Sequence, residues 1–188
     1  MAKKRNTETK AYIKTALTKL LTQKKFEDIT ISDLTKTAGI NRGTFYLHYK
    51  DKYDMMDQFK NETLDNLSCI LNDTAINTNT EKVLIETLTY LKNDFDFIFA
   101  ISQSSYVNLP QTIKDFTYRI LLNIPDSKNT ISNHYGVPYR YAIEVYLASI
   151  ESLISFWVMN GAQESPEEMT SIILKMLYID KYFNKTSL

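Results

Sequence analysis

The chain has 188 residues, 44% hydrophobic and 12% aromatic, which excludes a disordered chain and allows one large domain or a small one joined to a larger. Basic and acidic side chains balance at 22 each, yet residues 1–60 carry 13 against 7 and residues 61–188 carry 9 against 15, so a +6 front precedes a −6 rear. That split fits a polyanion-binding unit joined to something else, or chance surface composition. It decides nothing alone.

Only four glycines and four prolines occur, and apolar residues return at three- and four-residue intervals, so the chain is expected to be all-α. A first amphipathic helix runs from Thr7 to about Lys24, with Ala11, Ile13, Ala16, Leu17, Leu20 and Leu21 largely on one face. Thr30-Ile31-Ser32-Asp33 is a capping-box variant that opens a second, short helix, stopped by Gly39 in a left-handed conformation. Asn41 caps a third helix through about His48, and Asp51 a fourth through about Leu71. Residues 72–80 are polar and helix-poor, a boundary between two regions. Further helices are expected over 80–100, 104–124 with a break at Pro110, 138–160 and 165–182. The last opens on Ser165-Pro166-Glu167-Glu168: an N-cap serine, a proline in the first turn and a glutamate three residues after the cap.

Function is carried by residues 29–52. Ile31, Leu34, Ala38 and Ile40 are spaced to pack inward, and Ala38-Gly39 lets two helices approach across a tight turn. On the next helix Phe45 and Tyr49 fall on the buried side, whereas Arg42, Thr44, Tyr46 and His48 project outward, each able to hydrogen-bond a base edge or phosphate. Ala38-Gly39-Ile40, Gly43-Thr44-Phe45-Tyr46 and Lys52 resemble the signature of the TetR family of bacterial regulators. Two positions depart from it: Thr35, where alanine is common, and Tyr49, where phenylalanine is, so that the Tyr49 hydroxyl must reach a partner or the surface.

The resemblance implies a fold of an N-terminal three-helix helix-turn-helix DNA-binding domain, residues 1–52, plus a C-terminal helical ligand-binding and dimerisation domain, residues 53–188. It places Asn41, Arg42, Gly43 and Thr44 at the major groove, with Tyr46 and His48 on bases or phosphates. Thr30 and Lys52 would hold phosphate at two helix N-termini. Lys36 and the arm Lys3-Lys4-Arg5 would add electrostatic attraction. A glycine at 43 lets the backbone press toward the duplex. The alternatives are a half-buried Tyr46, a surface His48, a solvated tail at Lys3-Lys4-Arg5, and a Thr30 that only caps.

Toward the C-terminus, residues 138–160 form a helix apolar nearly all round, which requires burial nearly all round. With the following helix it would build a four-helix interface between two chains, through Tyr146, Ile150, Leu153, Ile154, Trp157, Ile173, Met176 and Leu177. The homodimer then presents two heads to palindromic operator DNA. The stretch Trp157–Gly161 with Ser165–Met169 is similar to the subgroup that includes the dihydroxyacetone kinase operon activator, some of whose members act with a partner protein. Phe95, Phe97, Phe99, Tyr106, Phe116 and Tyr118 would line a small-molecule effector pocket, or else form ordinary core. The runner-up reading is a regulator, with activation as one option, controlled by a protein partner instead of a small molecule.

An enzyme is not expected. There is no Cys-x-x-Cys, His-Glu-x-x-His or Gly-rich phosphate loop, so neither a metal nor a cofactor is expected. Cys69 is the single cysteine and cannot form an internal disulfide. No uninterrupted apolar run approaches the roughly 20 residues of a membrane span, and Met1–Arg5 leads into polar residues, unlike a secretory signal. The expected location is the cytoplasm, with no membrane partner.

Overall fold

The structure, a computed structural model, describes residues 2–71 and 79–177, with side chains from residue 8 onward. Those residues contain ten α-helices, one 3-10 turn at Phe26–Asp28 and no strand. The helices are α1 (Ala2–Leu21), α2 (Ile31–Ala38), α3 (Arg42–Tyr46), α4 (Lys52–Leu71), α5 (Thr80–Asn93), α6 (Phe95–Ser102), α7 (Leu109–Asn123), α8 (Ser127–Tyr135), α9 (Tyr139–Met159) and α10 (Pro166–Leu177). The all-α expectation holds. Residues 72–78 of the expected boundary, residues 178–182 of the last expected helix and the side chains of Lys3-Lys4-Arg5 lie outside the described residues.

The expected stops fall where the local chemistry puts them. Gly39 is left-handed at φ 68°, and the Ile40 N–H donates to the Thr35 carbonyl at 3.0 Å, closing α2. Asp51 Oδ1 accepts from the N–H groups of Tyr53 and Asp54, and the Ser165 and Glu168 side chains bond each other's backbone N–H groups to start α10. Two expected spans differ, and α8 (Ser127–Tyr135) was not expected at all. The span 80–100 is broken at Asp94 into α5 and α6. The span 104–124 begins only at Leu109, with Pro110 in the first turn of α7, where a missing N–H removes no helical bond.

Packing divides the chain into two compact units, Met1–Asp65 with Asp96–Asn108, and Asn66–Phe95 with Leu109–Leu188. The boundary expected after residue 52 falls at the start of α4, whereas this division comes inside α4. The reason is that Met55, Met56 and Phe59 are buried, and the Phe59 ring lies 5.7 Å from Tyr49.

In the first unit, Ile13, Ala16, Leu17 and Leu20 form the buried stripe of α1. A chain of rings, Phe45–Tyr49–Phe59–Phe97, runs at 5.4, 5.7 and 5.7 Å from the foot of α3 to α6. Residues 96–108 are fastened to the head by polar contacts as well. Lys14 Nζ sits 4.3 Å above the Phe97 ring, and the Tyr106 ring packs at 5.3 Å from Phe26 and 5.2 Å from Tyr53. The Tyr106 hydroxyl donates to Asp57 Oδ2 at 2.9 Å, and the Ser105 hydroxyl donates to the Glu27 carboxylate, holding that carboxyl below its ordinary value.

In the second unit α7, α8 and α9 share Leu121, Ile131, Ala142 and Ile143, and α5 packs against α10. Trp157 is 2% exposed, and its indole N–H donates to the Glu164 carbonyl at 3.3 Å. Lys92 Nζ donates to the same carbonyl at 3.0 Å, tying α5 to the loop before α10. By length and mean hydropathy, 1.5 over its apolar window, α9 would suffice to cross a membrane, although Arg140, Glu144 and Glu151 interrupt it. Only 22% of that window is buried within the protomer.

Candidate nucleic-acid interface

The head's outer face is built from two capped helices. Thr30 caps α2: its hydroxyl accepts from the Asp33 N–H at 3.1 Å and donates to Asp33 Oδ2 at 2.7 Å, while the Thr30 N–H donates to that carboxylate at 2.9 Å. Lys24 Nζ adds a 2.7 Å ion pair from the turn that follows α1. The Lys24 bond, then the Thr30 bonds, hold the Asp33 carboxyl well below the ordinary carboxylate range. The Thr30 hydroxyl is therefore spent inside the protein as both donor and acceptor, and the geometry supports its capping role over the expected phosphate contact.

Asn41 caps α3, its Oδ1 accepting from the Thr44 N–H at 2.7 Å and the Thr44 hydroxyl at 3.0 Å. A Cβ at Gly43 would stand 3.3 Å from that oxygen, so glycine suits this position even before a ligand is considered. Phe45 and Tyr49 are buried beneath, whereas Arg42, Gly43, Tyr46, Leu47 and Lys50 are exposed, a run at helical spacing that forms one open face. Tyr46 is 50% exposed and sets its edge against Phe45 at 5.6 Å, so the alternative of a half-buried ring and the outward reading both describe part of it. His48 does not project freely: it is half-buried, its ring 6.1 Å from Tyr49. Lys36 is exposed on the far turn of α2.

Lys52 differs most from expectation. Its ammonium donates to the carbonyls of Phe26, Glu27 and Ile29 at 2.9, 2.6 and 2.9 Å, and lies 5.1 Å from the Phe26 ring. An ammonium has three N–H donors, and all three are used here. The side chain expected on phosphate thus staples the start of α4 to the turn before α2. Leu47 and Lys50, which sequence reasoning did not single out, are also exposed beside Tyr46 and Tyr49 in the chain. Positions 42, 43, 46 and 47 recur at helical intervals, which is the signal that could have found Leu47.

Tyr49 corrects a second expectation. Its hydroxyl reaches neither the surface nor a hydrogen-bond partner among the described residues. Burial, with the negative charges of Glu62 and Asp54, pushes its pKa far above the ordinary phenol value and keeps the hydroxyl protonated.

The six aromatics expected to line one pocket are divided: Phe97, Phe99 and Tyr106 belong to the first unit and Phe95, Phe116 and Tyr118 to the second. Phe97 and Tyr106 are committed to packing the head, as described. A cleft of about 350 Å³ does occur in the first unit, lined by Leu21, Lys24, Lys25, Phe26, Glu27, Ala100, Gln103, Ser104 and Ser105, none of them from the expected set.

The expected interface residues also sort unevenly. Trp157, Ile173 and Leu177 are buried within their own protomer, and Tyr146 packs against the α7–α9 cluster, which pushes its phenol up to about 12. Ile150, Leu153 and Ile154 are half-buried, and Met176 is 64% exposed. The open face of α9 is instead Tyr141, Val145, Ala148, Ser152, Phe156 and Met159, spaced by four and three residues, beside Ile172 and Met176 of α10.

Residues 13–59 match the family profile described as "Bacterial regulatory proteins, tetR family", and residues 78–178 match "Transcriptional regulator C-terminal region". The HTH-type transcriptional regulator YxbF of Bacillus subtilis (strain 168) is 23% identical over 185 residues, covering 92% of this chain and 46% of that protein. The biofilm operon negative regulator IcaR of Staphylococcus aureus (strain Newman) is 28% identical over 123 residues, 64% of this chain and 63% of its own. The chain thus spans only about half to two-thirds of these relatives' length. Among solved structures, the dihydroxyacetone kinase operon activator DhaS superposes with a TM-score of 0.63 at 19% identity, covering 92% of this chain and 95% of that one. Bacillus subtilis FadR in complex with stearoyl-CoA superposes at 0.60 with 18% identity, over 89% and 96% of the two chains. With one profile on residues 13–59 and a second covering more than half of the sequence, this chain belongs to the TetR family of bacterial regulatory proteins.

Proposed function

We propose that the protein works in the cytoplasm as a homodimer on a palindromic operator, reading each half-site with the open face of α3. The observation that carries this is the exposed run Arg42, Gly43, Tyr46 standing over a fully buried Phe45 and Tyr49. Arg42 supplies donors for a base edge or phosphate, Gly43 allows close approach, and Tyr46 offers a hydroxyl and a ring edge. Asn41 and Thr44 hold that helix in shape, Lys36 and Lys50 contribute charge, and Thr30 and Lys52 position the helices from beneath. Half-sites are expected about one helical turn, or a multiple of it, apart.

Dimerisation is supported by the apolar stripe of α9, which leaves an otherwise hydrophobic helix uncovered in the protomer. A second copy covering it by two-fold symmetry would also account for hydropathy that a membrane would otherwise explain. Control by a small-molecule effector is supported by the likeness to FadR, solved with stearoyl-CoA. A protein partner is the second reading, favoured by the commitment of Phe97 and Tyr106 to the head. No catalytic role is part of the proposal.

The test is selection of duplexes from a random pool by the full-length protein, followed by binding measured across salt concentration. One selected palindrome bound by two chains, with affinity falling steeply with salt, supports the reading. Failure to enrich any sequence sinks it.

A further inference from the structure

At 84% exposure, Leu47 is the most exposed large hydrophobic side chain among the described residues. It stands at the C-cap of α3 with helical angles, φ −72° and ψ −18°, and so continues the face of Arg42, Gly43 and Tyr46. The core beneath is closed without it, since Phe45 and Tyr49 are buried with their ring centroids 5.4 Å apart. A leucine here does almost nothing for the protomer. Its worth is realised only when something apolar covers it, and its neighbours on that face are a cation, a phenol and the exposed Lys50.

The chemistry of the duplex narrows what that something is. Phosphates and most base edges in the major groove are polar, and the one apolar group presented there is the C5-methyl of thymine. Gly43, one turn back on the same face, has no side chain to hold the helix away from the groove floor.

We propose that Leu47 is a specificity-determining residue that selects thymine at one position of each half-site by packing on its methyl group. The proposal rests on the operator reading above and adds a residue and a base identity to it. Arg42 and Tyr46 then supply directional hydrogen bonds, and Leu47 supplies discrimination that no hydrogen bond accounts for.

The experiment uses the full-length protein and the selected duplex, replacing each thymine in turn by deoxyuridine. This deletes the methyl and keeps base pairing and the O4 acceptor. Wild-type protein should bind about three- to tenfold more weakly at one thymine per half-site, the range of one buried methyl. Leu47→Ala should bind the thymine and uracil duplexes equally while melting like wild type, since the side chain is outside the core. Tolerance of uracil at every position by wild type, or a Leu47→Ala protein as methyl-sensitive as wild type, overturns the assignment. Arg42→Ala separates the two claims. If it abolishes binding to the selected duplex while no methyl matters, only the Leu47 proposal falls; if no duplex is selected at all, the operator reading falls and takes Leu47 with it.

Discussion

At position 52 three carbonyl oxygens, those of Phe26, Glu27 and Ile29, compete with any phosphate for one ammonium group, and all three are already bonded. Lys52→Ala should therefore lower the stability of the protein by on the order of 2 kcal/mol, the range of a hydrogen bond from a charged donor, and leave the salt dependence of DNA binding unchanged. Urea denaturation and a salt titration of operator affinity measure the two halves; a flattened salt slope would return Lys52 to the phosphates. Tyr49 behaves in the opposite sense. Its hydroxyl is buried without a partner among the described residues, so Tyr49→Phe should stabilise the protein by roughly 1–2 kcal/mol, read as a higher urea midpoint. Tyr46→Ala should cost roughly 1–3 kcal/mol of operator affinity with the fold intact, and wild-type affinity in that variant would remove Tyr46 from the groove.

Helix α2 depends on a few groups at its first turn. Thr30 and Asp33 satisfy each other's backbone N–H groups, and Lys24 binds the same carboxylate. Thr30→Ala should cost about 1 kcal/mol, the usual loss of a cap, seen in the thermal midpoint. Because the Asp33 carboxyl is held below its ordinary value of 3.8, its contribution is complete above that pH and is lost as pH falls toward the folded value. Asp54, lowered by bonds from the Lys50 backbone and Gln58, acts in the same direction at the start of α4. Thermal melting below about pH 4 should therefore show a falling limb that is shallower in Asp33→Asn; an unchanged limb would mean the ion pair contributes little.

On the scale of the assembled molecule, the two apolar sides of α9 have different jobs. Trp157 fills the protomer's own core, so Trp157→Ala should cost roughly 3–5 kcal/mol of stability. Phe156, its neighbour in sequence, is 68% exposed and aligned with Val145 and Met159. Phe156→Glu should leave the protomer folded and convert the proposed dimer to monomer in sedimentation, with operator affinity falling because two heads no longer bind together. A dimer that survives Phe156→Glu would place the interface elsewhere.

Part of the local chemistry was readable from residue order: most of the helical stretches, where Thr30, Asn41, Asp51 and Ser165 start them, where Gly39 stops one, and that Phe45 and Tyr49 lie inward while Arg42 and Tyr46 lie outward. These features depend on groups three or four residues apart, so spacing alone specifies them. Several of the unexpected assignments involve partners distant in sequence. Lys52 meets carbonyls more than twenty residues away, Tyr106 reaches Asp57 across 49 positions, and residues 96–108 join a head whose other members precede residue 66. Residues 156 and 157 are both large and apolar, and periodicity cannot say which one faces the protomer's core and which faces out. That choice is made by what the rest of the chain packs against each, which exists only once the helices have come together.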